Sequence, residues 1–119
     1  MADLQAKLQT LSDEFSKLQS DLQTQISIRQ TLSSQEQENL SVQAEFSTLK
    51  EHNTVYKLIG PVLLKQDQEE AKMSVESRLG YIQGEIKRVE GLIKDLQDGM
   101  EKKRGEIVST QIALQGGAK

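Results

Sequence analysis

Apolar residues return at alternating steps of four and three along both halves of this chain, and its only proline lies between the halves. Leu4, Leu8, Leu11, Phe15, Leu18 and Leu22 form the first run. Val75, Leu79, Ile82, Ile86, Val89, Ile93, Leu96 and Met100 form the second, which passes Lys103 and resumes at Ile107, Thr110 and Leu114. This spacing lines one narrow stripe of a helix. It is the seam of a coiled coil, not the alternation of a strand. No Gly or Pro interrupts residues 1–53. The pattern predicts two helices, over about 2–52 and 67–115.

Past Leu22 the first seam weakens. Gln25, Arg29, Glu36, Asn39 and Gln43 take seam positions, while Ile26, Leu40 and Leu49 lie beside the line. The Gln- and Ser-rich stretch 23–43 reads as a solvated helix face, because its apolar residues are too regular for a tail. His52-Asn53 offers a stop, since Asn tolerates the left-handed conformation that follows a helix. Asp67-Gln68-Glu69-Glu70 has the pattern of a capping box, with Asp67 as cap and Glu70 reaching back. Gly116-Gly117 is the expected end of the second helix. Gly80, Gly84, Gly91, Gly99 and Gly105 fall between its seam positions. Each costs about 1 kcal/mol against Ala, so packing must support this helix. Gly80 and Gly84 have the spacing of a membrane dimer motif, but Gln83 and charged flanks argue against a membrane. No Gly-Lys-Ser/Thr follows them, so they are not a phosphate loop.

Between the arms, Val55-Tyr56-Lys57-Leu58-Ile59-Gly60-Pro61-Val62-Leu63-Leu64-Lys65 crowds apolar residues without a helical period. Val, Ile and Tyr favour strands, and Gly-Pro favours a turn. The stretch predicts a β-hairpin within about 54–66, with strands Val55–Ile59 and Val62–Gln66. Gly60 and Pro61 suit the centre of a type II′ turn. Alternation puts Val55, Ile59, Val62 and Leu64 on one face, and Tyr56, Leu58 and Leu63 on the other. Both faces are partly apolar, and both strands are edges that recruit further chain. The alternative is a plain hairpin folded over its own helices.

Folding about Gly60-Pro61 sets residue i opposite about residue 121 − i. Leu8 then meets Leu114, Phe15 meets Ile107, Leu22 meets Met100, Leu32 meets Val89 and Phe46 meets Val75. An antiparallel two-helix coiled coil of about 50 residues per arm follows, roughly 75 Å long at 1.5 Å per residue. Asp13, Glu14 and Asp21 face the turn carrying Lys102, Lys103 and Arg104. Leu18 against Lys103, Gln25 against Leu96, Arg29 against Ile93 and Glu36 against Ile86 are mismatches, which leave apolar groups half covered and predict local bending or opening.

Composition excludes most chemistry. The 119 residues suffice for one domain, but 35% hydrophobic and 3% aromatic content is too little for a large globular core. There is no Cys, hence no disulfide or thiolate site, and the single His52 makes no metal centre. No concave core holds paired acids, so no enzyme and no cofactor are expected. Residues 1–53 carry four bases against eight acids, and the remainder eleven against ten. A weakly acidic whole argues against nucleic acid. No apolar run approaches the ~20 residues of a membrane span. Met1-Ala2-Asp3 lacks the regions of a signal peptide, so a cytoplasmic protein is expected. Leu4, Leu8, Leu11, Phe15, Ile107, Ile112 and Leu114 gather where both termini lie. Termini fray, and a frayed seam offers apolar side chains without a shaped pocket. An ordinary coiled-coil end is the plainer reading.

The helix–hairpin–helix layout resembles a β-type subunit of prefoldin. Residues 53–66, Asn53-Thr54-Val55-Tyr56-Lys57-Leu58-Ile59-Gly60-Pro61-Val62-Leu63-Leu64-Lys65-Gln66, and the later Glu85-Ile86-Lys87-Arg88 carry the resemblance. Other β-type subunits often have Asn after the turn glycine, so Pro61 narrows it to one branch. The resemblance covers the whole layout, but only residues 53–90 are specific. It implies a mainly α chain whose hairpin joins an oligomeric β-barrel within a heterohexamer of α- and β-type subunits. The assembly residues would be Val55, Tyr56, Leu58, Ile59, Gly60, Pro61, Val62, Leu63 and Leu64. The coiled-coil tips would hold unfolded actin and tubulin for the cytosolic chaperonin, without ATP. A structural coiled-coil adaptor is the alternative; it would need only a short polar loop in place of the hairpin.

Overall fold

The computed structural model describes residues 2–49, 55–59 and 62–117, with side chains for 2–49 and 67–116. Four elements follow in order: α1 (Ala2–Phe46), β1 (Val55–Ile59), β2 (Val62–Gln66) and α2 (Gln68–Gly117). β1 and β2 form an antiparallel two-stranded sheet, with Ile59 opposite Val62 and Leu58 opposite Leu63. The expected turn at Gly60-Pro61 and the two apolar faces of the hairpin lie outside the described residues and side chains. So does the expected helix stop at His52-Asn53.

The helix ends differ from expectation for local reasons. α1 stops at Phe46, short of residue 52. The amides of Thr48 and Leu49 bond three residues back, to the carbonyls of Glu45 and Phe46, which tightens the last turn. The hydroxyls of Ser47 and Thr48 donate to the carbonyls of Ala44 and Glu45 at 2.6 and 2.8 Å, so side chains compete for the helical acceptors. At the start of α2 the Asp67 carboxylate accepts from the Glu69 amide at 3.0 Å. Glu70 makes no return bond, so the cap is single, not a box. At its far end α2 continues through Gly117, past the expected stop near 115.

The chain divides into two packed units. The first comprises Met1–Arg29 and Arg88–Lys119; the second is Gln30–Lys87. In the first unit α1 and α2 run antiparallel: Glu14 meets Lys103, Leu18 lies over Gly99, and Arg29 reaches Glu90 at 3.6 Å. Leu11, Val89 and Thr110 are buried there, Val89 completely. The Thr110 hydroxyl donates to the Glu106 carbonyl at 2.8 Å, which lets a polar residue occupy the seam.

In the second unit Ala71, Val75, Leu79, Ile82 and Ile86 are buried along one face of α2. Opposite them Asn39 is buried on α1. Its amide donates to the Gln35 carbonyl at 2.7 Å, and its oxygen accepts from Arg78 at 3.5 Å. A buried amide with both ends bonded costs little, whereas an unbonded one costs about 1–3 kcal/mol.

These contacts correct the expected register. Glu14 meets Lys103, as the facing charges predict, but Leu18 lies over Gly99, not Lys103; Arg29 reaches Glu90, not Ile93; and Asn39 finds Arg78, where folding about the turn gives Ile82. Each partner on α2 lies about one helical turn closer to the hairpin than expected. The connections explain it. Residues 47–54 separate α1 from β1, whereas only Asp67 separates β2 from α2. The two connections differ in length, eight residues against one. Ile86, expected to be half covered by Glu36, is 8% exposed. Ile93 and Leu96 are half-buried, as their polar neighbours on α1 imply.

Candidate functional site

Of the seven apolar residues expected at the open end, all lie in the first unit, where the ends of α1 and α2 pack together. Leu11 is 5% exposed and belongs to the seam. Leu4, Leu8, Phe15, Ile107 and Leu114 are half-buried. Ile112 is 63% exposed. The arrangement divides the set into a buried tie, a partly covered row and an open residue.

One residue escapes a seam-based reading. Val108 is 47% exposed and stands four residues before Ile112, so the two share a face of α2. The signal is present in the sequence, as apolar residues that fall off the seam at i, i+4. A search confined to seam positions passes over it.

Charge surrounds this apolar end and ties it. Lys103 bonds Glu14 across the helices and lies 3.9 Å from Glu106. The hydrogen bond that Lys103 donates to Glu14, reinforced by the charges of Glu14 and Glu106, holds the Lys103 ammonium above its ordinary pKa of 10.5. Of the expected facing charges only Lys103 crosses to α1. Arg104 pairs with Glu101 on its own helix, and Lys17 with Asp21 on α1. An open groove of about 510 Å³ runs between the first turns of α1 and residues 102–113 of α2. A second hollow lies beside Asp21, Gln25, Leu92 and Leu96, where the Gln25 side-chain oxygen is buried without a hydrogen-bond partner.

Among the described residues no three His, Cys, Asp or Glu side chains stand together as metal ligands, and no helix is long and apolar enough to cross a membrane. What this end offers is contact: exposed aliphatic groups, a shallow groove and a cross-helix ion pair. In the second unit, the two-stranded sheet presents one outer edge on each strand among the described residues. Seven of the nine residues expected to carry assembly fall on this sheet, with side chains outside the described set; Gly60 and Pro61 lie outside the described residues.

Two long helices joined through a two-stranded hairpin, with aliphatic side chains partly uncovered near the helix ends, define a helix–hairpin–helix chain. The family of prefoldin subunits matches residues 3–112, and the chain belongs to that family. It is 42% identical to prefoldin subunit 6 of Homo sapiens over 116 residues, 97% of this chain and 90% of the relative. Prefoldin subunit 6 of Arabidopsis thaliana is 38% identical over 113 residues, 95% and 88% of the two chains. Prefoldin subunit 6 of Saccharomyces cerevisiae is 44% identical over 98 residues, 82% and 86% of the two chains. The fold is also that of the prefoldin beta subunit from Thermococcus strain KS-1, with a TM-score of 0.81, 18% identity, and 87% and 90% of the chains covered.

Proposed function

We propose that this chain is a subunit of a hexameric, ATP-independent co-chaperone that holds unfolded proteins, actin and tubulin among them, and passes them to the cytosolic chaperonin. The hairpin of β1 and β2 joins partner α- and β-type subunits in a shared β-barrel. The apolar ends of α1 and α2 hold the client. Neither role uses a cofactor or a reaction, and the protein acts in the cytoplasm.

The observation that carries the holding role is the pair of exposed aliphatic residues Val108 and Ile112 on the outer face of α2, with the half-buried Leu4, Leu8, Phe15, Ile107 and Leu114 in the same unit. Aliphatic groups held in water gain by covering any apolar segment, roughly 25 cal/mol for each Å² buried. With no enclosing pocket they impose little choice of client. Each contact is weak, and several subunit ends acting on one chain multiply it through effective concentration.

The test is light scattering from a diluted unfolded client in the presence of the hexamer, reconstituted with partner subunits. V108S/I112S removes exposed methyl groups and leaves the buried seam untouched. Protection should weaken several-fold while the hexamer stays intact by sedimentation. Unchanged protection by an intact hexamer contradicts the assignment of these residues.

A further inference from the structure

In the second unit the buried face of α2 carries little information about register. Ala71, Val75, Leu79, Ile82 and Ile86 follow one another at each turn, so the face presents much the same aliphatic surface after a slide of one turn. Along α1 in this unit Leu32, Glu36, Leu40, Gln43 and Phe46 are half-buried, and Asn39 is 8% exposed. Asn39 distinguishes the two registers. Its amide nitrogen donates to the Gln35 carbonyl of its own helix at 2.7 Å, a bond that travels with α1. Its oxygen accepts from Arg78 of α2 at 3.5 Å, a bond that does not. One turn is about 5.4 Å, so a slide of that size parts the pair and brings Ile82 to Asn39. The oxygen is then buried against hydrocarbon without a donor, which is the unfavourable way to place an amide. Arg78 is exposed, so water replaces its half of the bond.

We propose that Asn39 is the residue that specifies the register of the paired helices in this unit. Its bond to Arg78 holds α1 against a one-turn slide that the aliphatic face alone permits. The connection to β1 does not prevent that slide. Residues 47–54 join α1 to the sheet, and each residue of extended chain spans up to about 3.3–3.6 Å. The longer connection therefore allows the observed register and its neighbour, and Asn39 chooses between them. A polar residue in an apolar seam acts in this way at some loss of stability, because the seam would be tighter with an aliphatic group in its place. The ion pairs Glu14–Lys103 and Arg29–Glu90 belong to the first unit, and exposed pairs of that kind hold weakly. The inference does not depend on the holding role.

The chain has no cysteine, so engineered pairs report register through disulfide formation. One turn away from the hairpin, the Asn39–Arg78 bond sets Glu36 opposite Ile82, and the slid register sets it opposite Ile86. E36C/I82C and E36C/I86C are each introduced into the full chain, assembled with partner subunits and equilibrated in a glutathione buffer. Peptide mass spectrometry measures each disulfide. With Asn39 in place the 36–82 bond should form and the 36–86 bond should be scarce. N39L and R78A should each raise the ratio of 36–86 to 36–82 roughly tenfold, the order set by one unbonded buried acceptor. Q43L makes the same change at a half-buried position without touching that bond and should leave the ratio unaltered. Circular dichroism checks that each variant stays helical. A ratio unchanged in N39L or R78A, an equal rise in Q43L, both disulfides forming alike with Asn39 in place, or lost helicity with no gain at 36–86 overturns the proposal.

Discussion

At the scale of single residues, Lys103 shows how one charge sorts itself in a seam. The heptad count puts it where an apolar residue belongs, opposite Leu18. In the structure it instead bonds Glu14, and Leu18 takes the space over Gly99. A glycine beside the seam thus has a use: at Gly99 an added Cβ would touch Leu18 at 3.6 Å. The ion pair has a defined pH signature. Because the folded pKa of Lys103 is raised, its contribution is complete below the unfolded value and is lost as pH climbs through the folded value, above 10.5. Thermal melts of the hexamer from pH 9 to 12 should therefore show wild type losing its advantage over K103M in that window. A difference that is constant across the range contradicts the ion-pair assignment.

At the scale of elements, α2 supplies most of the buried aliphatic positions and α1 fewer. The buried face from Ala71 to Val89 is aliphatic, whereas α1 offers Asn39 to it, bonded at both ends of its amide. The glycines lie away from this face: Gly80, Gly84, Gly91 and Gly105 have open space where a Cβ would stand. Two substitutions separate the roles. V89A removes methyl groups from the one completely buried large side chain and should cost about 2 kcal/mol. G84A should stabilise by up to about 1 kcal/mol, since the helix gains propensity and nothing is displaced. Urea denaturation of the hexamer measures both. A destabilising G84A means that Gly84 faces a partner.

Seam positions were legible in the sequence because a period of 3.5 needs no knowledge of the partner. The register was not, because it depends on how much chain each connection consumes. Ile59 opposite Val62 places the turn at the centre of the hairpin, but eight residues before β1 and one after β2 move the arms out of that symmetry. The end of α1 was hidden for a related reason. Ser47 and Thr48 carry no breaker signal, yet their hydroxyls take the carbonyls that another turn would use.

At the scale of the molecule, the proposed roles follow from what the sheet and the helix termini each leave unsatisfied. A two-stranded sheet has open edges and is marginal alone. The end at α1 residues 4–15 and α2 residues 102–114 has half-covered aliphatic groups with charges around them. All seven expected residues lie in the first unit, because both helices run to the termini. The sequence did not reveal which of them face water. Leu11 and Ile112 have the same chemistry class, yet one is 5% exposed and the other 63%. Membership of the prefoldin subunit family rests on residues 3–112, whereas the proposed holding site rests on the first turns of α1 and the last turns of α2.

The most direct measurement of that claim is site-specific photocrosslinking to an unfolded client. A crosslinker replaces Ile112, or Tyr81 in the other unit, which is 70% exposed and serves as an equally accessible control. Within the assembled hexamer, crosslinks to unfolded actin should form from position 112 and be scarce from position 81. Equal capture at both positions, or capture at 81 alone, contradicts a holding site at the open end of the helices.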